Sequence, residues 1–213
     1  LRYVKKYNIL TVVGGVFATF APERALREGS VDIVCVGEGE KPLTELCDKM
    51  ERGQDFSKIP GLWVRKKNGD IVKNHPAAAI DMNTLPPIDF TIFEDDRFYR
   101  PMRGSVYRML PMETHRGCPY TCAFCNSPAQ NKLYSSLTKS KFFRKKSVEK
   151  IREELINFRD QWNGQYVFFW ADTFLAWGKR ELAAFCEMYS EFKFPFWCQS
   201  RTETVSDSVG GYE

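Results

Sequence analysis

The sequence predicts a mixed α/β protein assembled from two stretches of alternating strand and helix. Three observations carry this. Short apolar, β-branched runs recur with helical patterns between them, over residues 8–50 and again after residue 147. The runs are unbroken rather than alternating, as in parallel strands covered on both faces. Glycines cluster where the first of these runs end, at Gly14-Gly15 and Gly37-Glu38-Gly39.

In the first stretch, Ile9 to Val13 reads as a buried strand, and PERALRE as a short helix with Pro22 at its start and Gly29 at its close. Val31 to Val36 (VDIVCV) is a second strand, and KPLTELCDKM a second helix with Pro42 in its first turn. Two strands make a poor parallel sheet, so further strands are expected upstream of Leu1, and the chain reads as a fragment. Residues 56–108 differ in character. GLWVRKKNGDIVKN signals a hairpin around Asn68-Gly69, and NTLPPIDF disfavours helix. This segment reads as a connection with a small hairpin, between a first region at 1–55 and a second at 109–213.

Alternation then resumes. Ser147 caps a helix with Val148, Ile151, Leu155, Phe158 and Trp162 on one face, ended by Gly164. Tyr166 to Ala171 is a strand, with Asp172 at its end. A further helix puts Leu182, Phe185, Tyr189 and Phe192 on one face. FPFWCQSR is another strand, ending in Gln199 and Arg201.

Composition excludes several classes. Hydrophobic residues make up 43% of the 213 and charged ones 27%, an ordinary globular balance. A net charge of +4 is too small a bias to argue for nucleic acid. No apolar run approaches the roughly 20 residues that span a bilayer. The seven cysteines are odd in number, and three of them cluster. That argues against a secreted disulfide scaffold and for metal chemistry in a reducing, cytoplasmic setting.

The cluster is HRGCPYTCAFC, residues 115–125, with Cys118, Cys122 and Cys125 as soft ligands suited to zinc or iron–sulfur. A closed zinc site wants a fourth ligand. Cys186 and Cys198 read as buried packing residues, as do Cys35 and Cys47. His115 is three residues from Cys118 and is a candidate fourth ligand. Without it, a four-iron cluster on three thiolates keeps one iron open.

The C-x-x-x-C-x-x-C spacing, with Phe124 before the last cysteine, resembles the cluster loop of the radical S-adenosylmethionine superfamily. The resemblance implies a [4Fe-4S] cluster on Cys118, Cys122 and Cys125. Its open iron would chelate S-adenosylmethionine, and one electron would cleave that cofactor to a 5′-deoxyadenosyl radical. The loop would follow the first strand of a partial (β/α) TIM-like barrel, roughly Met109 to Thr114, of which this chain holds the first half. Phe124 would lie near the adenine. Family members often carry Gly-Gly-Glu after the second strand, to meet the methionyl ammonium. Here the segment is Ala171-Asp172-Thr173-Phe174, and Asp172 is the candidate, against a plain helix-capping role. Gln199 and Arg201 would face the barrel mouth, Arg201 as partner to a carboxylate, against an ordinary strand end.

The region before residue 55 is similar to the C-terminal part of a Rossmann-like cobalamin-binding domain, which precedes the radical barrel in a large subclass. Gly14 and Gly15 match the glycine pair where backbone lies close to the cofactor's nucleotide tail, and Gly37 and Glu38 form a second turn at the same edge. The Asp-x-His-x-x-Gly motif of the axial ligand is not in this sequence, and His75 is no substitute. The resemblance thus implies a cobalamin-dependent radical enzyme acting on a small molecule and fed by an electron donor such as flavodoxin or ferredoxin. Methyl transfer to an unactivated carbon is the commonest outcome in the subclass. The alternatives are the same radical chemistry on a degenerate domain without cobalamin, and a non-enzymatic zinc or iron–sulfur module. The basic run KSKFFRKK reads as a solvated loop.

Overall fold

The computed structural model describes residues 1–205. It is a mixed α/β chain in two compact units, one formed by Leu1–Ile80 with Leu133–Ser140, the other by Asp81–Lys132 with the residues from Lys141 on.

The first unit runs β1 (Val12–Val13), α1 (Val16–Phe20), α2 (Pro22–Arg27), β2 (Ile33–Cys35), α3 (Glu40–Glu51), β3 (Leu62–Arg65) and β4 (Ile71–Lys73). The sheet order is β1-β2-β3-β4. β1 and β2 are parallel, and β3 and β4 add antiparallel. The Asn68-Gly69 hairpin, read from sequence as part of a connection, is therefore hydrogen-bonded onto β2. The unbroken apolar run of β2 has a direct cause. Val34 and Val36 pack with Ala18 and Leu26, whereas Ile33 and Cys35 pack with Leu46, Leu62 and Val64. The run beginning at Ile9 is strand only at Val12–Val13. Its start is fixed by Asp32, whose carboxylate accepts from the backbone N–H and the hydroxyl of Thr11.

The second unit runs β5 (Tyr99–Met102), β6 (Ser105–Glu113), β7 (His115–Arg116), α4 (Ser127–Leu137, shared with the first unit from Leu133), β8 (Arg144–Lys145), α5 (Val148–Asp160), β9 (Tyr166–Trp170), α6 (Lys179–Tyr189) and β10 (Phe196–Trp197). Its main sheet has the order β10-β9-β6-β5. β6, β9 and β10 are parallel, and β5 forms a hairpin with β6. Ser147 caps α5 by accepting from the Lys150 N–H. Ile151, Leu155 and Phe158 then recur on one face and pack with Leu110, Met112, Val167 and Phe169 of the sheet. Each contributes about 1.5–3 kcal/mol by leaving water.

Two readings of the sequence are corrected. The basic run is not a solvated loop. Its Arg144–Lys145 pairs with His115–Arg116, Phe142 is buried, and Lys146 is buried against Glu154 at 2.7 and 2.8 Å. A lysine can be buried here because a carboxylate on the first turns of α5 meets it. Cys186 is exposed, as is Cys47. Phe185 takes the core-facing position of α6, so its neighbour is rotated outward.

Two outcomes are expected. Burial pushes the Glu154 carboxyl up despite Lys146 and the nearby charge of Lys150, so Lys146→Met leaves a buried acid without its hydrogen-bonded partner and costs about 3–5 kcal/mol in chemical denaturation. The double variant Lys146→Met/Glu154→Leu recovers most of that loss. Gly37→Ala forces a side chain onto φ +90° with the Tyr134 hydroxyl 2.8 Å from the new methyl. The torsion alone costs about 1–2 kcal/mol, and a lowered thermal midpoint is the expected readout.

Candidate functional site

The cysteine loop begins where the parallel strand β6 ends. After the short β7, Gly117 turns the chain at φ +82°, and a Cβ there would lie 2.8–3.0 Å from the Phe142 ring and carbonyl. The glycine is thus required twice, by torsion and by space. Cys118 follows, buried, with its carbonyl accepting from Asn131 Nδ2 of α4 at 2.9 Å. Cys122 is half-buried and Cys125 exposed, and all three are free thiols. Burial raises the Cys118 thiol, and the negative charges of Asp172, Cys125 and Cys122 act in the same direction. Cys125 is shifted the other way. It lies just before α4, within 3.5 Å of the hydroxyl and the backbone N–H of Ser127, which favour its thiolate.

His115 does not point at this loop as a ligand. It is 1% exposed, with Nδ1 against the Thr114 hydroxyl at 3.1 Å and Nε2 against the Thr173 carbonyl at 2.8 Å. Its ring packs edge-on against Phe143 and Trp177. Burial lowers its pKa, so it is a neutral core histidine tying β7 to the turn after β9. Its candidacy as a fourth ligand ends there. Among the described residues, no three His, Cys, Asp or Glu side chains gather closely enough to hold a single metal ion.

Of the remaining candidates of this unit, Asp172 lies just past the end of β9, Gln199 and Arg201 lie two and four residues beyond β10, and Phe124 is in the cysteine loop. Glu113 ends β6 in register with Trp170 of β9, and Asp172 follows two residues later. Glu113 is held bidentately by Arg116 at 2.8 and 2.9 Å. Asp172 is on the surface, and no described side chain hydrogen-bonds it. Partial burial and then the Glu113 charge raise its pKa. It does not cap the next helix: α6 starts at Lys179, after Gly178, whose N–H donates to Glu181. Gln199 is exposed, its carbonyl accepting from the Phe174 N–H. Arg201 reaches Cys122 Sγ at 2.7 Å. Phe124 is 95% exposed beside Cys125. On the face of the sheet away from α5, Met109, Pro111, Phe168 and Trp170 line a cavity of about 300 Å³ together with Arg97 and Arg100.

In the first unit, Gly14 follows β1 and Gly37 follows β2, so both turns lie at the C-terminal edge of the parallel pair. A Cβ on Gly14 would lie 3.6 Å from that of Cys35. Thr19 bridges the two turns, its hydroxyl donating to the Gly15 carbonyl and accepting from the Gly37 N–H. The Glu38 N–H donates to the Tyr134 hydroxyl at 2.8 Å, and the Glu38 carboxylate accepts from the Ile80 N–H. Sequence reasoning missed Thr19, Tyr134, Asn131 and Glu113. Only Glu113, at a predicted strand end, carried a local signal.

Three thiols on one loop could anchor a cluster at three corners. The donors are all thiols, and they share one loop at the end of a parallel strand. The nearby histidine is engaged elsewhere.

No family model matches the chain. A methyltransferase of Pyrococcus horikoshii, itself uncharacterised, is 31% identical over 206 residues, which is 95% of this chain and 42% of that protein. The cobalamin-dependent radical SAM methyltransferase TokK of Streptomyces tokunonensis is 28% identical over 70% of this chain and 21% of its own length. The chain thus spans less than half the length of either relative. Among solved structures, the cobalamin-dependent S-adenosylmethionine radical enzyme OxsB, with aqua-cobalamin and S-adenosylmethionine bound, superposes with a TM-score of 0.64 at 20% identity. That match covers 92% of this chain and 26% of OxsB, and at such identity it speaks for the fold alone. With the three-thiol loop at the end of β6 and these relatives, the chain belongs to the cobalamin-binding radical S-adenosylmethionine superfamily.

Proposed function

We propose that the second unit is the first half of a radical S-adenosylmethionine barrel, and that the first is the C-terminal part of a Rossmann-like cobalamin domain. The parent protein would be a cobalamin-dependent radical enzyme, with methyl transfer to an unactivated carbon as its reaction. The observation that carries this reading is the loop of Cys118, Cys122 and Cys125, with His115 engaged elsewhere. When bound, a [4Fe-4S] cluster on those thiols supplies the electron that cleaves S-adenosylmethionine homolytically.

This chain's residues prepare that site in separable ways. Gly117 and Asn131 fix the start of the loop. Ser127 and the N-terminus of α4 favour the thiolate of Cys125. Asp172, next to Glu113, presents negative charge at the strand ends, where a methionyl ammonium would be accepted. Phe124 is free to lie along an adenine ring. Gly14, Gly15, Gly37 and Glu38 offer backbone at one sheet edge, where parallel α/β sheets take ligands. Thr19 and Tyr134 hold those turns in place for a cobalamin tail. A small-molecule substrate and a flavodoxin- or ferredoxin-like donor complete the reading.

The test is anaerobic reconstitution of the full-length protein with iron and sulfide. A [4Fe-4S] cluster is expected whose reduced EPR signal changes on adding S-adenosylmethionine; one zinc per chain without iron uptake would refute the reading. Alanine at Cys118, Cys122 or Cys125 is expected to abolish cluster assembly, whereas His115→Gln keeps full iron content with reduced stability. Asp172→Asn removes a charge-assisted contact, and the S-adenosylmethionine concentration for half the EPR change should rise about tenfold or more. Cobalamin titration of the same protein tests the first unit.

A further inference from the structure

Arg201 is placed differently from what its position at a strand end suggests. It lies four residues beyond β10 and opens the 3-10 turn Thr202–Thr204. Its guanidinium makes three kinds of contact at once. Nη1 donates to the sulfur of Cys122, 79 residues earlier in the chain. Nη2 and Nε donate to the two oxygens of Glu203, at 2.5 and 3.3 Å. Its plane lies over the Tyr120 ring, 4.3 Å from the centroid. Tyr120 itself sits between Cys118 and Cys122, so the loop supplies both the aromatic seat and the acceptor.

We infer that Arg201 is a positioning residue for the cluster: it donates a hydrogen bond to the Cys122 thiolate and holds a fixed positive charge beside it, which raises the reduction potential of the iron–sulfur centre. The inference rests on the reading of this loop as a cluster site. It departs from the role of carboxylate partner that the strand-end position alone suggests.

The physical basis is that reduction adds one negative charge, spread partly onto the sulfurs. No bond forms or breaks. A nearby cation and an N–H donor stabilise the reduced form more than the oxidised form. Arginine suits this role because it stays charged and its planar fork serves several acceptors at once. Its ion pair favours that charge further, while Glu203 is drawn down to about 2. Stacking on Tyr120 fixes the plane without using a donor. Glu203 has a second effect: it sets an opposing negative charge against the same guanidinium, so the two residues pull the potential in opposite directions.

This opposition makes the test decisive. The full-length protein is reconstituted anaerobically with iron and sulfide, and the cluster is titrated with dithionite against redox mediators, with EPR detection. Arg201→Gln is expected to move the midpoint potential to more negative values, Arg201→Lys to stay near wild type, and Glu203→Gln to move it to more positive values. Iron and sulfide content serve as the control for cluster occupancy. A midpoint unchanged in Arg201→Gln, or shifts of the same sign in Arg201→Gln and Glu203→Gln, overturns the inference. If Arg201→Gln holds no cluster, the Glu203→Gln measurement still decides, because absence of a positive shift there overturns it. Failure of the wild type to assemble any cluster would instead refute the reading beneath. A cluster that responds to S-adenosylmethionine while its potential ignores both variants leaves that reading standing and removes this one.

Discussion

Gly117 bends the backbone at φ +82° where the Phe142 ring and carbonyl leave no room for a side chain, and the chain enters the cysteine loop through that turn. Cys118 follows it into the protein, where Asn131 holds its carbonyl. The constraint reaches further than the loop. Phe142 is in place because Arg144–Lys145 pairs with His115–Arg116, and that pairing is braced by the buried contact of Lys146 with Glu154. His115, at the other side of the same short ladder, anchors it to Thr173. A charged strand, a histidine and a buried ion pair thus form the floor on which the cysteine loop is laid. Such pairs add little net stability, yet breaking one partner is costly. The floor therefore specifies geometry more than it adds strength.

Much of the second unit was legible in the sequence because its signals are local. The capping serine, the i, i+4, i+7 spacing of Ile151, Leu155 and Phe158, and the three-cysteine spacing each reside in one short window. What stayed hidden depends on partners far along the chain. KSKFFRKK looks solvated until its lysine meets Glu154. His115 looks like a ligand until the Thr173 carbonyl, 58 residues on, takes its ring nitrogen. The hairpin of β5 and β6 was missed although Arg103 and Gly104 both take positive φ, since Arg103 gives no hint of such a torsion. Cys186 was misread because helix periodicity separates adjacent residues by a wide rotation, and Phe185 held the inward position.

The first unit shows the same division. The glycine turns after β1 and β2 were readable, because strand, glycine and helix succeed one another within few residues. Their bracing was not. Thr19 connects one turn to the other, and Tyr134 arrives from almost a hundred residues later to accept from the Glu38 N–H. Tyr134 is almost completely buried, and its hydroxyl occupies the space that a side chain at position 37 would need. The glycine there is explained as much by that distant phenol as by the torsion.

The outward rotation of Cys186, together with exposed Cys47, has a practical bearing on work with this protein. Both thiols lie on helices, in solvent, apart from the loop. In air they are free to couple molecule to molecule, and exposed Cys125 can do the same, so a disulfide-linked dimer on a non-reducing gel does not by itself say which sulfur has oxidised. Serine at both positions would leave Cys125 as the exposed thiol on which thiol-specific reagents report.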